Sequence, residues 1–347
     1  IFLYCSIIEL YTLNYVIKTI IIFMSYNSIL VTGADGFMGS HLVEKLVKRG
    51  FKVKAFVQYN FQNNWGWIDE IDEKVKKEMQ VLQGDMRDID TLQNAANNCD
   101  FIFNLAALIG IPYSYIAPRS YIDTNLNGLI NLMNIVKKKN NMRIIHTSTS
   151  EVYGTGKIIP MKENHPLNPQ SPYAASKMSA DAMANAYFNS FKLPITILRP
   201  FNNFGPRQSL RAIIPTIIGQ FLNKKIKFIK LGNVNVTRDF TFVFDTVDAF
   251  ISTINNKKII GETINIGNNS EISVKDIVKI VSQVTDIKKK IVIEKKRVRS
   301  ENSEVKRLNC ANFKAKKLLN WSPKFRGKKG FSKALERTID WYRKPSN

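Results

Sequence analysis

The stretch SILVTGADGFMGSHLVEKLVKRG, residues 28–50, is the most informative part of the sequence, because it runs from an apolar strand through a glycine-rich turn into an amphipathic helix. The turn contains Gly33, Gly36 and Gly39 in the spacing G-x-x-G-x-x-G. In such a turn the first glycine allows a tight bend and the second allows a pyrophosphate to approach the backbone. The third allows the helix to pack closely on the strand. A strand before the triplet and a helix after it predict a nucleotide-binding βαβ unit.

Later strands alternate with helices, which predicts a parallel sheet whose ligand lies beyond the carboxyl ends of the strands. The strand at 52–57 ends in QYN, without the acidic residue that usually binds the ribose of NAD and without an arginine for the phosphate of NADP. NAD is therefore the preferred cofactor, and NADP stays open. The residues expected to bind the cofactor are Gly33, Gly36, Phe37, Met38, Gly39, Asp85, Met86, Leu105, Ala106 and Ala107.

A second motif, STSEVYG at residues 148–154, follows the apolar residues Ile144 and Ile145 of another strand. Three hydroxyl side chains and the carboxylate of Glu151 thus stand at a strand end. One interpretation is a turn or a helix cap, where Ser, Thr and Glu are common. The other is chemistry, since this strand end should face the same crevice as the glycine turn.

A third motif, SPYAASK at residues 171–177, places Tyr173 and Lys177 four residues apart. On a helix this spacing puts both side chains on one face. A nearby ammonium favours the phenolate and so lowers the pKa of a tyrosine. The spacing alone occurs by chance in many helices. After a nucleotide turn and a strand-end threonine, it indicates a tyrosine base.

The composition excludes several classes of function. The chain has 51 Lys and Arg against 28 Asp and Glu, a formal net charge of +23. The excess is spread in short clusters without a basic stripe among aromatic residues, so no nucleic-acid partner is expected. Cys5, Cys99 and Cys310 stand at unrelated spacings, which argues against a disulfide framework or a zinc site and indicates a reducing cytoplasm. The three histidines are also scattered, so no metal is expected.

Residues 1–23 are the compositional outlier, apolar but interrupted by Glu9 and Lys18. A membrane-spanning helix needs about 18 or more nearly uncharged residues. Met24 precedes the first convincing strand. Our hypothesis is that 1–23 is an upstream extension and that the functional protein starts at Met24. No membrane partner is expected unless that extension is native.

Taken together, these motifs resemble the extended short-chain dehydrogenase/reductases that modify nucleotide sugars, over residues 28–343. The resemblance implies an α/β fold, a Rossmann-type doubly wound parallel sheet with a smaller C-terminal α/β substrate-binding domain. The expected NAD-binding domain comprises 24–200 and 236–257, and the expected substrate domain comprises 201–235 and 258–343.

The helical stretches 123–139 and 171–191 form a dimer bundle in that family, so the resemblance also implies a homodimer. It assigns Tyr173 as the base for a sugar hydroxyl, Lys177 as a ligand of the nicotinamide ribose, and Thr149 as the residue that orients the hydroxyl.

Glu151 is the candidate base for the C5 proton in a 4,6-dehydration. Ser150 stands where related hexose dehydratases carry an aspartic acid that protonates the leaving hydroxyl, so the general acid stays open. Contacts to the nucleotide sugar are expected from Asn202, Arg211, Arg238 and Arg299. The alternative for each arginine is a surface salt bridge.

Longer segments such as AALIGIPYSYIAPRSYIDTN and LGNVNVTRDFTFV look most like the 4,6-dehydratases of legionaminic-acid biosynthesis. The expected reaction therefore converts a nucleotide-linked N-acetylglucosamine to its 4-keto-6-deoxy form. Because the same Thr-Ser-Glu appears in UDP-glucuronate decarboxylases, that activity is the alternative, as is a 4-epimerase. A non-enzymatic NAD-binding scaffold would have lost part of Thr149, Tyr173 and Lys177, and all three are present.

Overall fold

The computed structural model describes residues 26–139, 142–298 and 300–344, so residues 1–23 and Arg299 lie outside the described part. The strands in chain order are β1 (Ser28–Thr32), β2 (Lys52–Gln58), β3 (Met79–Gly84), β4 (Phe101–Asn104), β5 (Arg143–Thr147), β6 (Ile195–Pro200), β7 (Asn202–Phe204), β8 (Phe228–Leu231), β9 (Thr237–Phe242), β10 (Thr263–Ile266), β11 (Glu271–Ser273) and β12 (Lys290–Ile293).

The helices connect the strands and cover both faces of the main sheet. They are α1 (Phe37–Lys48), α2 (Glu73–Lys77), α3 (Ile89–Ala95), α4 (Ile111–Ser114), α5 (Pro118–Tyr121), α6 (Gly128–Lys137), α7 (Pro172–Phe191), α8 (Ile213–Leu222), α9 (Val243–Ile251), α10 (Val274–Thr285), α11 (Phe313–Leu319) and α12 (Gly327–Tyr342).

Within the described residues, seven strands form one parallel sheet in the order β10-β6-β5-β4-β1-β2-β3. Ile29 and Val31 of β1 pack into one layer of the core, while Leu30 packs into the other. Successive side chains of a strand point to opposite faces, so a strand covered on both sides must be apolar throughout. The predicted Rossmann-type sheet is confirmed.

A smaller unit carries its own core. Its strands form the sheets β11-β9-β7 and β12-β8, counted over the described residues. Phe204, Phe240 and Phe331 pack together in this core, with the Phe204 and Phe331 ring centroids 4.9 Å apart. The C-terminal α/β unit expected from the resemblance is therefore present.

The strand pairing differs from the expected domain boundaries for two strands. β10 falls in the range 258–343 that was expected in the substrate domain, yet it pairs with β6 in the main sheet. β9 falls in the range 236–257 that was expected in the NAD-binding domain, yet it pairs with β7 and β11. Both strands are short, and only their pairing decides which sheet they join.

The expected helix at 123–139 has an irregular start. A π-helical turn, Ile122–Asn127, precedes α6. Within it the buried Asn125 side chain bonds both backbone groups of Leu108, at 2.8 and 3.0 Å, and the Ser176 hydroxyl on α7 at 2.9 Å. Wide turns of this kind often occur at functional sites. Asn125 therefore connects the segment after β4 to α7 through these hydrogen bonds.

Across the described ranges, no helix is both long enough and apolar enough to cross a membrane.

Candidate active site

Three of the predicted catalytic residues meet where β5 ends beside α7. Ser171 caps α7 by accepting a hydrogen bond from the Ala174 amide at 3.1 Å, and Tyr173 lies in the first turn. The Lys177 ammonium donates to the Thr147 carbonyl oxygen at 2.5 Å. The Thr149 side chain acts on the Tyr173 hydroxyl and lowers its pKa. The structure thus brings a hydroxyl, a phenol and an ammonium into one buried cluster.

The STSEVYG segment forms a short 3₁₀ helix, Ser150–Tyr153, and Thr149 is its cap. The Thr149 hydroxyl oxygen accepts a hydrogen bond from the Glu151 backbone N–H at 3.2 Å. Ser150 is buried, whereas Glu151 is half-buried. Within the described residues the Glu151 carboxylate has no hydrogen-bond partner, and its charge acts on Tyr173. The cap interpretation therefore applies to Thr149 and not to the Glu151 carboxylate.

Burial dominates the electrostatics of this cluster. It raises the pKa of Tyr173, and the charge of Glu151 acts in the same direction, while the Thr149 side chain lowers that pKa. Burial lowers the pKa of Lys177 to about 8, against the opposing effect of Asp181. The expectation that Lys177 holds the pKa of Tyr173 down is therefore not met here, because burial outweighs it and the ammonium is directed at the Thr147 carbonyl.

The glycine turn has the shape that a pyrophosphate needs. Gly33 has φ +67°, and a Cβ on it would lie 2.8 Å from the Ala106 Cα atom. A Cβ on Gly39 would lie 2.0 Å from the Gly33 carbonyl oxygen, so only glycine allows α1 to pack this closely. A Cβ on Gly36 would meet only that oxygen, at 3.3 Å, and no side chain caps α1. The first N–H groups of α1 are thus available to an anion.

The other expected cofactor residues lie around this turn. Phe37 and Met38 are half-buried in the first turn of α1, and Leu105–Ala107 directly follows β4. The Ala106 amide donates to the Thr32 hydroxyl oxygen at 3.2 Å, which fixes that segment against β1. Met86 is an exception among the candidates, because its side chain is buried against α6.

Asp85 lies beside the end of β2, where the usual ribose-binding acid is missing. The Arg87 guanidinium donates two hydrogen bonds to its carboxylate, at 2.9 and 2.6 Å, and holds the pKa of Asp85 down at about 2. The Gln58 side-chain amide donates to the same carboxylate at 3.3 Å. Asp85 is therefore an ionised acceptor at this edge of the sheet.

Two of the expected substrate contacts lie in the strands of the smaller unit. The amide oxygen of Asn202 is buried and has no hydrogen-bond partner among the described residues. Arg238 is buried on β9, where its guanidinium lies 3.6 Å from the Glu304 carboxylate and donates to the Thr237 carbonyl oxygen at 3.0 Å. The salt-bridge alternative therefore describes a contact that Arg238 does make, although in a buried setting.

Of the other two expected arginines, one is exposed and the other lies outside the described residues. Arg211 is exposed, and its charge acts on Tyr121, whose ring packs edge-on against that of Tyr173 with centroids 6.3 Å apart. Arg211 thus lies on the side of the catalytic tyrosine. Arg299 lies outside the described residues. Among the described residues, no group of three or more His, Cys, Asp or Glu side chains has the arrangement of a metal site.

Sequence reasoning missed the polar residues beneath the catalytic cluster. Asp181, four residues after Lys177 on α7, accepts hydrogen bonds from Ser148 at 2.8 Å and from Arg199 at 2.9 Å. Asn125 was missed as well. The spacing of Asp181 from Lys177 was the available signal, but a carboxylate four residues from a lysine is common on exposed helix surfaces.

A parallel sheet with a glycine turn after one strand, and a buried tyrosine, lysine and threonine after another, defines a short-chain dehydrogenase/reductase of the extended type. A family profile described as GDP-mannose 4,6 dehydratase matches residues 30–334. The chain belongs to this family.

Its relatives carry out different reactions on nucleotide sugars. A putative UDP-glucose 4-epimerase from Methanocaldococcus jannaschii is 30% identical over 319 residues, covering 90% of this chain and 97% of the relative. A UDP-N-acetyl-alpha-D-glucosaminuronate decarboxylase from Bacillus cytotoxicus is 29% identical, covering 92% and 98%. The crystal structure of dTDP-glucose 4,6-dehydratase from Bacillus anthracis in complex with NAD has a TM-score of 0.80 and 29% identity, covering 92% and 97%.

Proposed function

We propose that the protein is an NAD-dependent nucleotide-sugar 4,6-dehydratase acting on a nucleotide-linked N-acetylglucosamine-type hexose. The observation that carries the proposal is the Glu151 carboxylate, which lies beside Tyr173 without a hydrogen-bonding role of its own in the described residues. A dehydratase needs a second base near the tyrosine. A 4-epimerase has no step for one.

NAD is the cofactor that this site suits. Gly36 leaves room for a pyrophosphate at the uncapped start of α1, and Asp85 and Leu105–Ala107, which follow β3 and β4, would hold the rest of the cofactor at the same edge of the sheet. A solved relative contains NAD in its site. When bound, NAD supplies the acceptor for the C4 hydride and later returns that hydride to the sugar.

The side chains of this chain then have separate tasks. In this proposal Tyr173 accepts the proton of the C4 hydroxyl, which Thr149 orients, and Lys177 holds the nicotinamide ribose. Burial keeps the pKa of Tyr173 raised and the Lys177 ammonium donates to Thr147, so the Lys177 charge would favour the phenolate when it turns toward the phenol. Glu151 takes the C5 proton, which the C4 ketone has made acidic. The C6 hydroxyl then takes up a proton, for which the protonated Glu151 is the donor that this cluster contains, and leaves as water.

The smaller C-terminal unit and the segments beside it supply polar groups for the nucleotide sugar. Asn202 presents a buried amide without a partner among the described residues, and an unpaired buried polar group is costly unless a ligand satisfies it. Arg211 lies on the side of Tyr121 and Tyr173, where a cation would meet the diphosphate. We also propose a homodimer, which rests on the resemblance.

The test is to incubate the purified protein with UDP-, GDP- and dTDP-linked hexoses and to follow product mass. A 4,6-dehydratase loses water from one of these substrates and forms a 4-keto-6-deoxy sugar. UDP-glucuronate belongs in the panel, because loss of CO2 from it would instead establish the decarboxylase alternative.

Two further outcomes would contradict the proposal. Isomerisation without a change in mass would identify a 4-epimerase, and no turnover with any hexose while NAD still binds would favour the scaffold alternative. Tyr173→Phe protein, prepared in parallel, serves as the control for activity carried over from the expression host.

A further inference from the structure

A buried polar network lies directly beneath the catalytic cluster, with Asp181 at its centre. Asp181 is 1% exposed and follows Lys177 by one turn of α7. One of its carboxylate oxygens accepts hydrogen bonds from the Ser148 hydroxyl at 2.8 Å and from the Arg199 guanidinium at 2.9 Å. Its other carboxylate oxygen lies 3.7 Å from the Nε2 atom of His146, which is also fully buried.

Donors and acceptors can be assigned in order along a chain of hydrogen bonds from Ala106 to His146. The Ala106 amide donates to the Thr32 hydroxyl oxygen, and the Thr32 hydroxyl donates to the side-chain oxygen of Asn104 at 2.8 Å. The amide nitrogen of Asn104 then lies 3.2 Å from the Nδ1 atom of His146. Because an amide NH2 group can only donate, Nδ1 must accept. With the Asn104 amide in this orientation, the neutral His146 carries its proton on Nε2, which lies 3.7 Å from Asp181 and makes no hydrogen bond among the described residues.

The ion pair with Arg199 is the geometric reason to treat Asp181 as ionised. One carboxylate oxygen accepts hydrogen bonds from Ser148 and from the Arg199 guanidinium, whereas the other lies 3.7 Å from the His146 Nε2 atom without a hydrogen-bond partner among the described residues. Burial raises the pKa of Asp181, and the Arg199 charge and these hydrogen bonds lower it. In the described part of the chain, no other carboxylate pairs with Arg199. With Asp181 ionised, the buried network contains two cations, Lys177 and Arg199, and one anion, while the half-buried Glu151 is a further carboxylate whose charge acts on Tyr173.

We propose that Asp181 is a positioning residue that keeps Lys177 charged beneath the active site and, through Lys177, sets the pH range in which Tyr173 acts as a base. The proposal rests on the proposed function only in its last step. The charge of Lys177 can be measured without any substrate.

Arg199 cannot release its proton at ordinary pH, whereas a lysine can. If the charge of Asp181 is removed, the buried cluster keeps two cations, and Lys177 is the group that becomes neutral. The titratable and charged groups around the pair are Asp181 and Tyr173 on α7, His146 on β5 and Arg199 on β6. Glu151 and Tyr121 also act on Tyr173, and both raise its pKa. His146 stays neutral, because burial holds its pKa well below the ordinary value.

The decisive measurement is the titration of the Lys177 side-chain nitrogen by NMR in protein labelled with ¹⁵N-lysine. The resonance is assigned by its absence from Lys177→Arg protein. In the wild type we expect Lys177 to be charged at pH 7. In Asp181→Asn its titration midpoint should fall by about one pH unit or more, the usual effect of losing a nearby opposite charge. A Lys177 that is neutral at pH 7 in the wild type, or an unchanged midpoint in Asp181→Asn, overturns the proposal.

A second variant keeps the test decisive if Asp181→Asn does not fold. Arg199→Gln removes the competing cation, so the midpoint of Lys177 should rise by about half a unit or more. No change in this variant would show that the charges are not coupled. The matched control is Asp245→Asn, which removes another buried carboxylate, one that accepts the Phe325 amide at 3.0 Å, and should leave the Lys177 midpoint unchanged.

The last step of the proposal, the effect of Lys177 on Tyr173, is tested by measuring activity. With substrate, the acidic limb of the pH–rate profile for reduction of bound NAD should move to higher pH in Asp181→Asn when Asp181 acts through Lys177, because Tyr173 then loses the cation that favours its phenolate. The Asp181 charge itself raises the pKa of Tyr173, so a move to lower pH would show a direct effect and overturn the step through Lys177. A merely structural role would lower the rate equally at every pH. If no nucleotide sugar reacts at all, the proposed function fails, while the NMR result still decides the coupling of Asp181 and Lys177.

Discussion

Thr149 and Glu151 are joined by a hydrogen bond from the Glu151 backbone N–H to the Thr149 hydroxyl oxygen at 3.2 Å. The bond makes Thr149 the cap of the following 3₁₀ helix and leaves the Glu151 carboxylate without a cap function. The same hydroxyl lowers the pKa of Tyr173. One threonine thus contacts both the phenol and the backbone that carries the candidate second base, which is the arrangement that the proposed dehydration requires.

Glu151→Gln should stop the reaction after the first hydride transfer. Glutamine keeps the size of the side chain but cannot accept the C5 proton, whereas C4 oxidation needs only Tyr173, Lys177 and Thr149. We expect reduced cofactor to accumulate, measured by its near-ultraviolet absorbance, without deuterium exchange from solvent into C5 and without loss of water.

The control for this prediction is Glu262→Gln, which removes a surface partner of Lys314 and should turn over normally. Wild-type rates and solvent exchange in Glu151→Gln would contradict both the base assignment and the dehydratase argument built on it. In a decarboxylase CO2 departs without abstraction of a C5 proton, so the predicted arrest has no basis there.

Tyr173→Phe should reduce turnover about a hundredfold or more, the usual scale for losing a general base. The affinity for NAD should hardly change, because the substitution removes one hydroxyl and leaves the glycine turn, Asp85 and Lys177 in place. Steady-state kinetics and cofactor titration measure the two effects. Tyr187→Phe, on the same helix but bonded to Asn134, is the control and should keep its activity. Near-normal turnover in Tyr173→Phe would mean that the site is misassigned.

Gly36→Ala and Gly39→Ala should separate cofactor binding from folding. The new Cβ on Gly36 would meet only the Gly33 oxygen, so this variant should fold with nearly the wild-type Tm, but its NAD affinity should fall about tenfold or more. The new Cβ on Gly39 would overlap the backbone of the turn, so that variant should lose about 1–3 kcal/mol of stability or more. Thermal unfolding and calorimetric titration with NAD provide the measurements. Equal NAD affinity in Gly36→Ala and the wild type would place the pyrophosphate elsewhere.

Asp239 should make stability depend on pH between about 4 and 7. Burial raises the pKa of this carboxyl to about 7, although the amides of Asn268 and Cys310 donate to it and act in the opposite direction. A carboxyl whose folded-state pKa is raised holds its proton more tightly in the folded protein. Its contribution is therefore fully present below the unfolded pKa and is lost as pH rises through about 7.

The measurement is the difference in Tm between the wild type and Asp239→Asn, which cannot ionise at this position. That difference should shift in favour of the variant as pH rises from about 4 to 7. Asp340→Asn, which changes an exposed carboxylate, should show no such trend. A constant difference for Asp239→Asn would show that its N–H donors keep the carboxylate ionised throughout.

Local rules were sufficient for much of the fold and part of the site. The strand, glycine turn and helix of 28–50 follow from short-range sterics, since Gly33 needs a positive φ and Gly39 needs space that only glycine leaves. Tyr173 and Lys177 share a helix face because of the helical repeat alone. The sheet of parallel strands follows from the alternation of apolar strands with helices.

Pairing between distant segments could not be predicted from sequence. The membership of β10 in the main sheet, the contact of Thr149 with Tyr173, and the contact of Arg238 with Glu304 each join parts of the chain that no local pattern relates. The sequence also did not indicate that Asp181 and His146 are buried. Charged and polar residues are usually exposed, so their type predicts the opposite.

The nucleotide turn, the tyrosine-lysine pair and the family could be inferred from sequence, because each depends on residues that are neighbours along the chain. Three further features required the folded structure: Thr149 is the cap, the Glu151 carboxylate acts on Tyr173, and the buried Asp181 pairs with Arg199 and Ser148. Burial and hydrogen-bond partners set the charge and direction of a polar side chain, and both are properties of the packed chain.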